Sequence, residues 1–312
     1  MHSRSNLIYI GLCSYQAEKF LVEQLDSLLV QTHQNIEIHI FDDCSNDASI
    51  SIASHYVEKH PNLYLHINES RLGFVKNFEQ AIRVLSSKGE YIALCDQDDI
   101  WHSNKLASCL NALKLLEKKH PNKPAIAHSD LRMIDDKGLC IYSSFFKHKN
   151  LQLPAEKSLA KILGYNGVMG NTLLMNSRLA KLALPFPVSL KYHDYWLALV
   201  NETFGVRATL NEPLIDYRIH NHNASDNRLS KPVKKRFSLP FMEDNREETL
   251  AYFLSHYEIE KKDKEVISAF YNYLCLKQSR VSTVLLLLKY EFLRNNWRYR
   301  FRVFRRLLFG LR

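Results

Sequence analysis

Three aspartates, Asp96, Asp98 and Asp99, arrive within four positions at the end of the apolar run "YIALC". Carboxylates this close repel one another, and each loses hydration if partly buried. A strand that ends in so much charge expects something positive. Paired carboxylates are hard oxygen ligands suited to Mg2+ or Mn2+, and an ion held there can also carry a diphosphate. The bland alternative is an acidic loop that caps the helix predicted in "SNKLASCLNALKLL". A second cluster, "DDCSND" at 42–47, reads either as an Asx turn with a helix cap or as a place where Asp43 meets a base or ribose edge. Tyr15 follows the first apolar run and is either a stacking platform for a nucleobase or a core tyrosine. Asp194, preceded by His193, opens an apolar helix, and alone it reads as an N-cap or first-turn acid. His220, near Asn211, Asn221, His222 and Asn223, alone reads as a loop histidine.

These residues need a scaffold. "LIYIGLC", "IEIHIF", "LYLHI" and "YIALC" read as strands, and "AEKFLVEQLDSLLVQ", residues 47–59 and "GFVKNFEQAIRVL" read as the helices between them. Strands alternating with helices imply βαβ units and a mostly parallel α/β sheet. Ligands sit beyond the carboxyl ends of such strands. The clusters "SYQ", "DDCSND" and "DQDD" all fall there, so a parallel sheet would bring them to one edge. From 125 to 220 the pattern is less regular. Two short strands are expected around an Asp-Lys-Gly turn, then a helix in "KYHDYWLALVNETFG" and a strand pair or edge in "ATLNEPLIDYRIH". Residues 221–236 are polar and contain Pro232, as a linker would. Residues 241–309 are helical in composition.

The 312 residues suffice for one large domain with an appendage, and 46% apolar content allows a sizeable core. Net charge is +9, but Lys289 and seven arginines against Glu291 give residues 289–312 a charge of +7, leaving +2 for the rest. The tail interleaves arginine with Trp, Tyr, Phe and Leu. Nucleic acid and a membrane surface both suit that pattern. Its high apolar fraction favours an anionic membrane over nucleic acid, with Trp297, Arg298, Arg302, Arg305 and Arg306 as contacts. A packed C-terminal helix or a dimer face is the structural alternative. No apolar stretch is long enough to span a bilayer, and the N-terminus lacks the features of a secretory leader. The six scattered cysteines are therefore expected to be reduced core thiols in a cytosolic protein.

The segments "CSYQAEKFLVEQLDSLLVQTHQNIEIHIFDDCSNDAS", "RLGFVKNFEQAI", "GEYIALCDQDDIWHSNKL", "GNTLLMNSRLAKLALPFP", "HDYWLALV" and "EPLIDYRIHNHN" occur in that order. Together they make the chain resemble the family 2 glycosyltransferases of GT-A fold, in particular the bacterial rhamnosyltransferase-like members that build surface polysaccharides. The resemblance covers residues 7 to about 223. It implies a GT-A domain at 1–223, a linker at 224–240 and a helical extension at 241–312 ending in a basic amphipathic tail.

By this resemblance Ser14, Tyr15 and Glu18 lie in the first nucleotide-contacting loop, and Asp43 meets the base. Gly73 and Asn77 belong to a further nucleotide-binding stretch. Asp96 and Asp98 match the DxD pair, with Asp98 the stronger ligand for Mg2+ or Mn2+. Asp194 falls where inverting members keep a general base. His220 falls near the metal or diphosphate, with Arg218 beside it. Two departures stand out: Ser14-Tyr15-Gln16 replaces Thr-Tyr-Asn, and Tyr195 replaces the first Trp of HDWW. The implied activity is inverting, metal-dependent transfer of a sugar, with rhamnose the first guess. The donor would be a dTDP- or UDP-sugar, the acceptor saccharide lipid-linked, and the protein peripheral on the inner face of the cell membrane. Two rivals remain. A Mg2+-dependent nucleotidyltransferase would carry a glycine-rich basic loop after the first strand, which "CSYQAEKF" lacks. A non-catalytic membrane adaptor would have no need of an intact DxD, Asp194 and His220.

Overall fold

The computed structural model describes residues 6–151, 153, 157–220, 245–275, 279–293 and 297–309. Four strands, β1 (Ile8–Ser14), β2 (Ile36–Asp42), β3 (Leu63–Ile67) and β4 (Tyr91–Cys95), are parallel in the order β3-β2-β1-β4. β1 and β4 are buried on both faces, which explains why they read as unbroken apolar runs rather than alternating ones. Helices α1 (Leu21–Leu29), α2 (Ser49–Lys59) and α3 (Phe74–Ser86) connect them. α1, α2 and α4 (Lys105–Lys119) share one core with Ile8, Ile10 and Leu12 of β1. α3 packs on the opposite face, where Gly11 lets it close on β1: a Cβ there would lie 3.1 Å from Leu85 and 3.3 Å from Ala81.

The rest of the sheet is mixed. β8 (Leu174–Asn176) is antiparallel to β4 and to β6 (Ala125–Ile134), and β9 (Val206–Arg218) runs parallel to β6. The short β5 (Ile100–Trp101) and β7 (Cys140–Tyr142) add antiparallel edges to β9 and β6. So the parallel reading holds for the first four strands, and the sheet as a whole is evenly mixed. β9 is one thirteen-residue strand rather than a pair, with its register against β6 shifting between Ser129 and Arg132. α1 starts at Leu21, four residues into the segment "AEKFLVEQLDSLLVQ" that reads as a helix. Residues 17 and 18 turn instead toward the 47–49 loop, their amides donating to Ser49 Oγ at 2.7 Å and Asp47 Oδ2 at 3.1 Å.

Two helices follow β7, α5 (Phe145–Lys149) and α6 (Leu159–Tyr165); then α7 (Ser177–Leu182) and α8 (His193–Phe204) flank the sheet. The C-terminal helices are α9 (Arg246–His256), α10 (Lys261–Leu274), α11 (Arg280–Lys289) and α12 (Trp297–Phe309). Their apolar residues, among them Phe253, Phe270, Leu287, Val303 and Leu307, and Phe292 between α11 and α12, join the core that contains α3, α7 and α8. The expected linker at 224–240 and the boundary at 223 lie outside the described residues. Cys13, Cys95 and Cys109 are buried as expected, whereas Cys140 is exposed on the edge strand β7; all six thiols are free. No helix among the described residues is long and apolar enough to cross a membrane.

Candidate active site

β1 and β2 end level, Ser14 pairing with Asp42, and β4 ends two residues earlier on the same edge, Cys95 pairing with Leu12. The loops that leave these strands therefore meet. Ser14 Oγ donates to Asp42 Oδ2 at 2.9 Å, and the Asp42 carboxylate also accepts the Ser45 amide and hydroxyl, each at 2.7 Å. The Tyr15 amide donates to Gln97 Oε1 at 2.6 Å, and Gln97 Nε2 donates back to the Tyr15 carbonyl at 3.1 Å. Tyr15 is half-buried, with the Arg71 guanidinium 3.9 Å from its ring centre. Glu18 is exposed, and its carboxylate accepts the Ala48 amide at 3.0 Å.

Asp43 is buried and organises the loop before α3. Its Oδ1 accepts Asn68 Nδ2 at 2.9 Å and the Leu72 amide at 2.7 Å, while Oδ2 accepts the Gly73 amide at 2.8 Å. Gly73 has φ +82°, a backbone region that disfavours other residues, and so turns the chain into α3. Asn77, one turn into α3, ties it to the end of β2 by donating to the Phe41 carbonyl at 2.9 Å, and it accepts from Asn68 at 3.1 Å.

The acid cluster lies beyond β4. Burial, and the charges of Asp98 and Asp194, push the Asp96 carboxyl up to about 7. Asp98 Oδ2 lies 2.8 Å from His220 Nε2, within hydrogen-bond reach. Asp99 is fully buried and held up by burial and its two acidic neighbours, although Asn171 Nδ2 (2.5 Å) and the Arg218 amide (3.1 Å) both donate to it. Some of the positive charge the acids call for comes from the chain itself. The buried Arg218 side chain donates to the Asp98 carbonyl at 3.0 Å and to Glu23 Oε2 at 2.6 Å, with its guanidinium 4.5 Å from the Phe20 ring centre. Lys105 is fully buried beneath, 3.2 Å from the Trp101 ring centre, and burial lowers its pKa to about 8.

Asp194 stands in the first turn of α8 and accepts the Tyr195 amide at 2.6 Å. Its carboxyl rises to about 6, chiefly through burial; the Tyr195 bond and Arg246 pull the other way. The adjacent His193 ring stacks on Phe78 at 4.0 Å and is kept neutral by burial, its pKa falling to about 3. Gly170 makes room for it, since a Cβ there would meet His193 Nε2 at 2.4 Å.

The expected residues thus fall into groups. Ser14, Tyr15, Glu18, Asp43, Gly73 and Asn77 gather at the ends of β1 and β2. Asp96, Asp98, Asp194 and His220 gather beyond β4. The expected membrane contacts stand apart on α12: Trp297, Arg302 and Arg305 are exposed there, while the side chains of Arg298 and Arg306 lie outside the described residues. Gln24, whose Oε1 accepts the Asp99 amide at 3.1 Å, and Glu23, Gln97, Asn171 and Arg71 were not legible as site residues. All of them lie inside the segments that carry the resemblance, and Gln97 stands between the acids of "DQDD".

Among the described residues no group of three or more His, Cys, Asp or Glu side chains is assembled as a metal cage. Mg2+ and Mn2+ in nucleotide sites are ordinarily held by one or two carboxylates together with substrate phosphates. Asp96 and Asp98 fit the role by donor type, being hard oxygens whose mutual repulsion a cation would relieve.

The family model for Glycosyl transferase family 2 matches residues 9–120. An uncharacterized glycosyltransferase of Rickettsia typhi is 30% identical over 231 residues, 73% of this chain and 68% of that protein. Staphylococcus aureus TarS (residues 1–349), crystallised with UDP-GlcNAc, superposes with a TM-score of 0.61 at 19% identity, covering 91% of this chain and 80% of that one; this chain spans 44% of the longer TarS chain. A Pyrobaculum calidifontis mannosyltransferase, in complex with GDP-Man and Mn2+, gives 0.54 at 15% identity, covering 93% and 74%. The fold is that of GT-A enzymes, and the chain is a glycosyltransferase belonging to glycosyl transferase family 2.

Proposed function

We propose that this enzyme transfers a sugar from a nucleotide-diphospho-sugar to a saccharide acceptor with inversion at the anomeric carbon. The observation that carries this reading is the nearness of Asp194, in the first turn of α8, to the acids beyond β4: its charge reaches Asp96, while its own carboxyl is raised by burial. Asp194 takes the proton of an acceptor hydroxyl as its oxygen bonds to the anomeric carbon. The bond from that carbon to the diphosphate breaks on the opposite face, and the nucleoside diphosphate leaves. Asp96 and Asp98 would hold Mg2+ or Mn2+, which when bound neutralises charge on the leaving diphosphate. His220 fixes the Asp98 carboxylate from one side, and Arg218 braces the backbone beneath it. Tyr15, Asp43 and the loop at Gly73 form the nucleotide side.

The donor class is supported by the UDP-GlcNAc and GDP-Man complexes of the two structural neighbours, and the metal by the Mn2+ of the second. A dTDP- or UDP-sugar is the expected donor, with rhamnose the first sugar to test. A lipid-linked acceptor at the inner face of the cell membrane completes the reading. The experiment is a thermal-shift panel of dTDP- and UDP-sugars with Mn2+, with and without EDTA. A ligand that binds only the folded state raises its melting temperature by mass action. An EDTA-sensitive shift with one donor class is expected; no shift with any donor would overturn the proposal.

A further inference from the structure

α11 presents apolar residues on two opposite sides. Thr283, Leu286 and Leu287 are buried against the core, while Val281, Leu285 and Leu288 are exposed, Leu285 at 61%. At about 100° per residue the three exposed side chains fall within about 60° of one another. They form a continuous aliphatic stripe. α12 packs beside α11 and repeats the arrangement. Its Val303 and Leu307 are buried, so these two do not face outward as the tail's composition suggested. Trp297 (73% exposed), Phe301 (60%) and Leu308 form its outer stripe, within about 40°. Arg302 and Arg305 follow that stripe on one flank, both exposed. Arg300 points elsewhere and donates to the Leu293 carbonyl at 3.3 Å. Alternating arginines, which fit no single face of a two-sided helix, are thus sorted on a three-sided one: core, apolar surface and cationic flank.

Six large apolar side chains exposed on two neighbouring helices go beyond the scattered exposure that a surface tolerates. The charges around them say what covers them. Arg280, Lys289, Arg302 and Arg305 are exposed on these helices, and Glu291 is the sole acid from 279 to 312. We infer that α11 and α12 together form a docking face for an anionic lipid bilayer. The aliphatic stripe of α11 and the Trp297-Phe301-Leu308 stripe enter the headgroup–acyl boundary, and the cations meet the headgroups. The inference deepens the membrane reading above, on which it rests, by moving half of the contact from the basic tail to α11. It is independent of the sugar chemistry.

The test is vesicle flotation with the full chain, using phosphatidylcholine alone and phosphatidylcholine mixed with phosphatidylglycerol. Deleting α12 is a poor variant, because it would strip Val303 and Leu307 from the core. Point variants on exposed positions avoid this. Wild type is expected to float with the anionic vesicles and to be released by salt. Leu285→Ser with Leu288→Ser should lower partitioning on the order of ten-fold or more. Arg302→Ser with Arg305→Ser should remove most of the preference for anionic vesicles. Leu115→Ser, a leucine on α4 that is 63% exposed, should change nothing. If wild type floats and the α11 variant floats equally, the two-helix face is wrong while membrane binding stands. If wild type does not float, membrane binding itself falls, and the nucleotide-sugar shifts still judge the chemistry. Concentration-dependent dimerisation abolished by the same α11 variant, without flotation, would assign the face to a second copy and overturn the proposal.

Discussion

At the scale of single residues, the proposed base Asp194 also has a structural place, as a first-turn acid of α8 that accepts the Tyr195 amide. Asparagine caps about as well as aspartate but is no base. Asp194→Asn should therefore leave sugar-nucleotide affinity nearly unchanged while turnover falls by about two to four orders of magnitude. The wild-type pH profile adds a second check. With its pKa raised to about 6, Asp194 must be ionised to act, so kcat/KM should fall as pH drops below that value. Near-normal turnover in the variant would leave Asp194 as a first-turn acid of α8 and no more. Asp98→Asn should abolish transfer and the EDTA-sensitive part of donor binding, with the fold intact because a like charge leaves a repelling cluster. Metal-dependent donor binding that survives in Asp98→Asn would rule out Asp98 as the metal-holding residue. The acids themselves were legible, because charge at the end of a buried strand is physically costly. What steadies them was not. Arg218 reaches Asp98 and Glu23 across 120 and 195 positions, and Asn171 reaches Asp99 across 72. Nothing local in a sequence signals such bonds.

At the scale of elements, the apolar runs of β1 to β4 announced themselves, as did the amphipathic spacing of α3. β9 was obscured because Asn211, Glu212 and Pro213 interrupt it where its register with β6 slips. α12 was obscured because three faces share thirteen residues, so no two-sided periodicity emerges. Element contacts also yield a stability prediction. Gly164 of α6 lies against the backbone between α11 and α12, and a Cβ there would come within 1.9 Å of the Phe292 carbonyl oxygen. That neighbour is main chain and yields little. Gly164→Ala should cost about 1–3 kcal/mol, the usual price of overpacking, read as a lower urea midpoint with unchanged m-value. Gly170→Ala should also displace His193 and so reduce turnover beyond its effect on stability. Wild-type midpoints in both variants would show that these helices pack otherwise.

At the scale of the whole molecule, buried histidines set a pH limit on folding. Burial lowers His39 to about 4 and His193 to about 3, and it holds His128 well below its ordinary range. Each is neutral in the fold but titrates near 6.5 once unfolded. Between those values the unfolded chain binds more protons, so their contribution is complete above about pH 6.5 and is lost as pH falls. Asp96 and Asp194 are raised and act in the opposite direction. His39 lies at the β2–β3 edge, with Nδ1 2.9 Å from His66 Nε2, Glu37 at 3.5 Å from Nε2, and the Lys88 charge adding to the lowering. His39→Phe should therefore flatten the loss of stability between pH 7 and 5, measured by urea unfolding at each pH. An unchanged slope would place the acid sensitivity elsewhere.

The helix that carries Asp194 has a second face. Trp196, two residues on, meets Phe253 of α9 edge-on at 5.6 Å, and the same apolar core runs through α10 to Val303 of α12. Cooperativity follows from that continuity. Although the sequence divides into a catalytic part and an extension, the apolar residues of the extension belong to the core of α3, α7 and α8, so the two should melt as one unit. Calorimetry is expected to give a single transition, with equal calorimetric and van't Hoff enthalpies. Heat inactivation of transfer should share its midpoint, because the helix holding the proposed base loses its backing when the C-terminal helices come away.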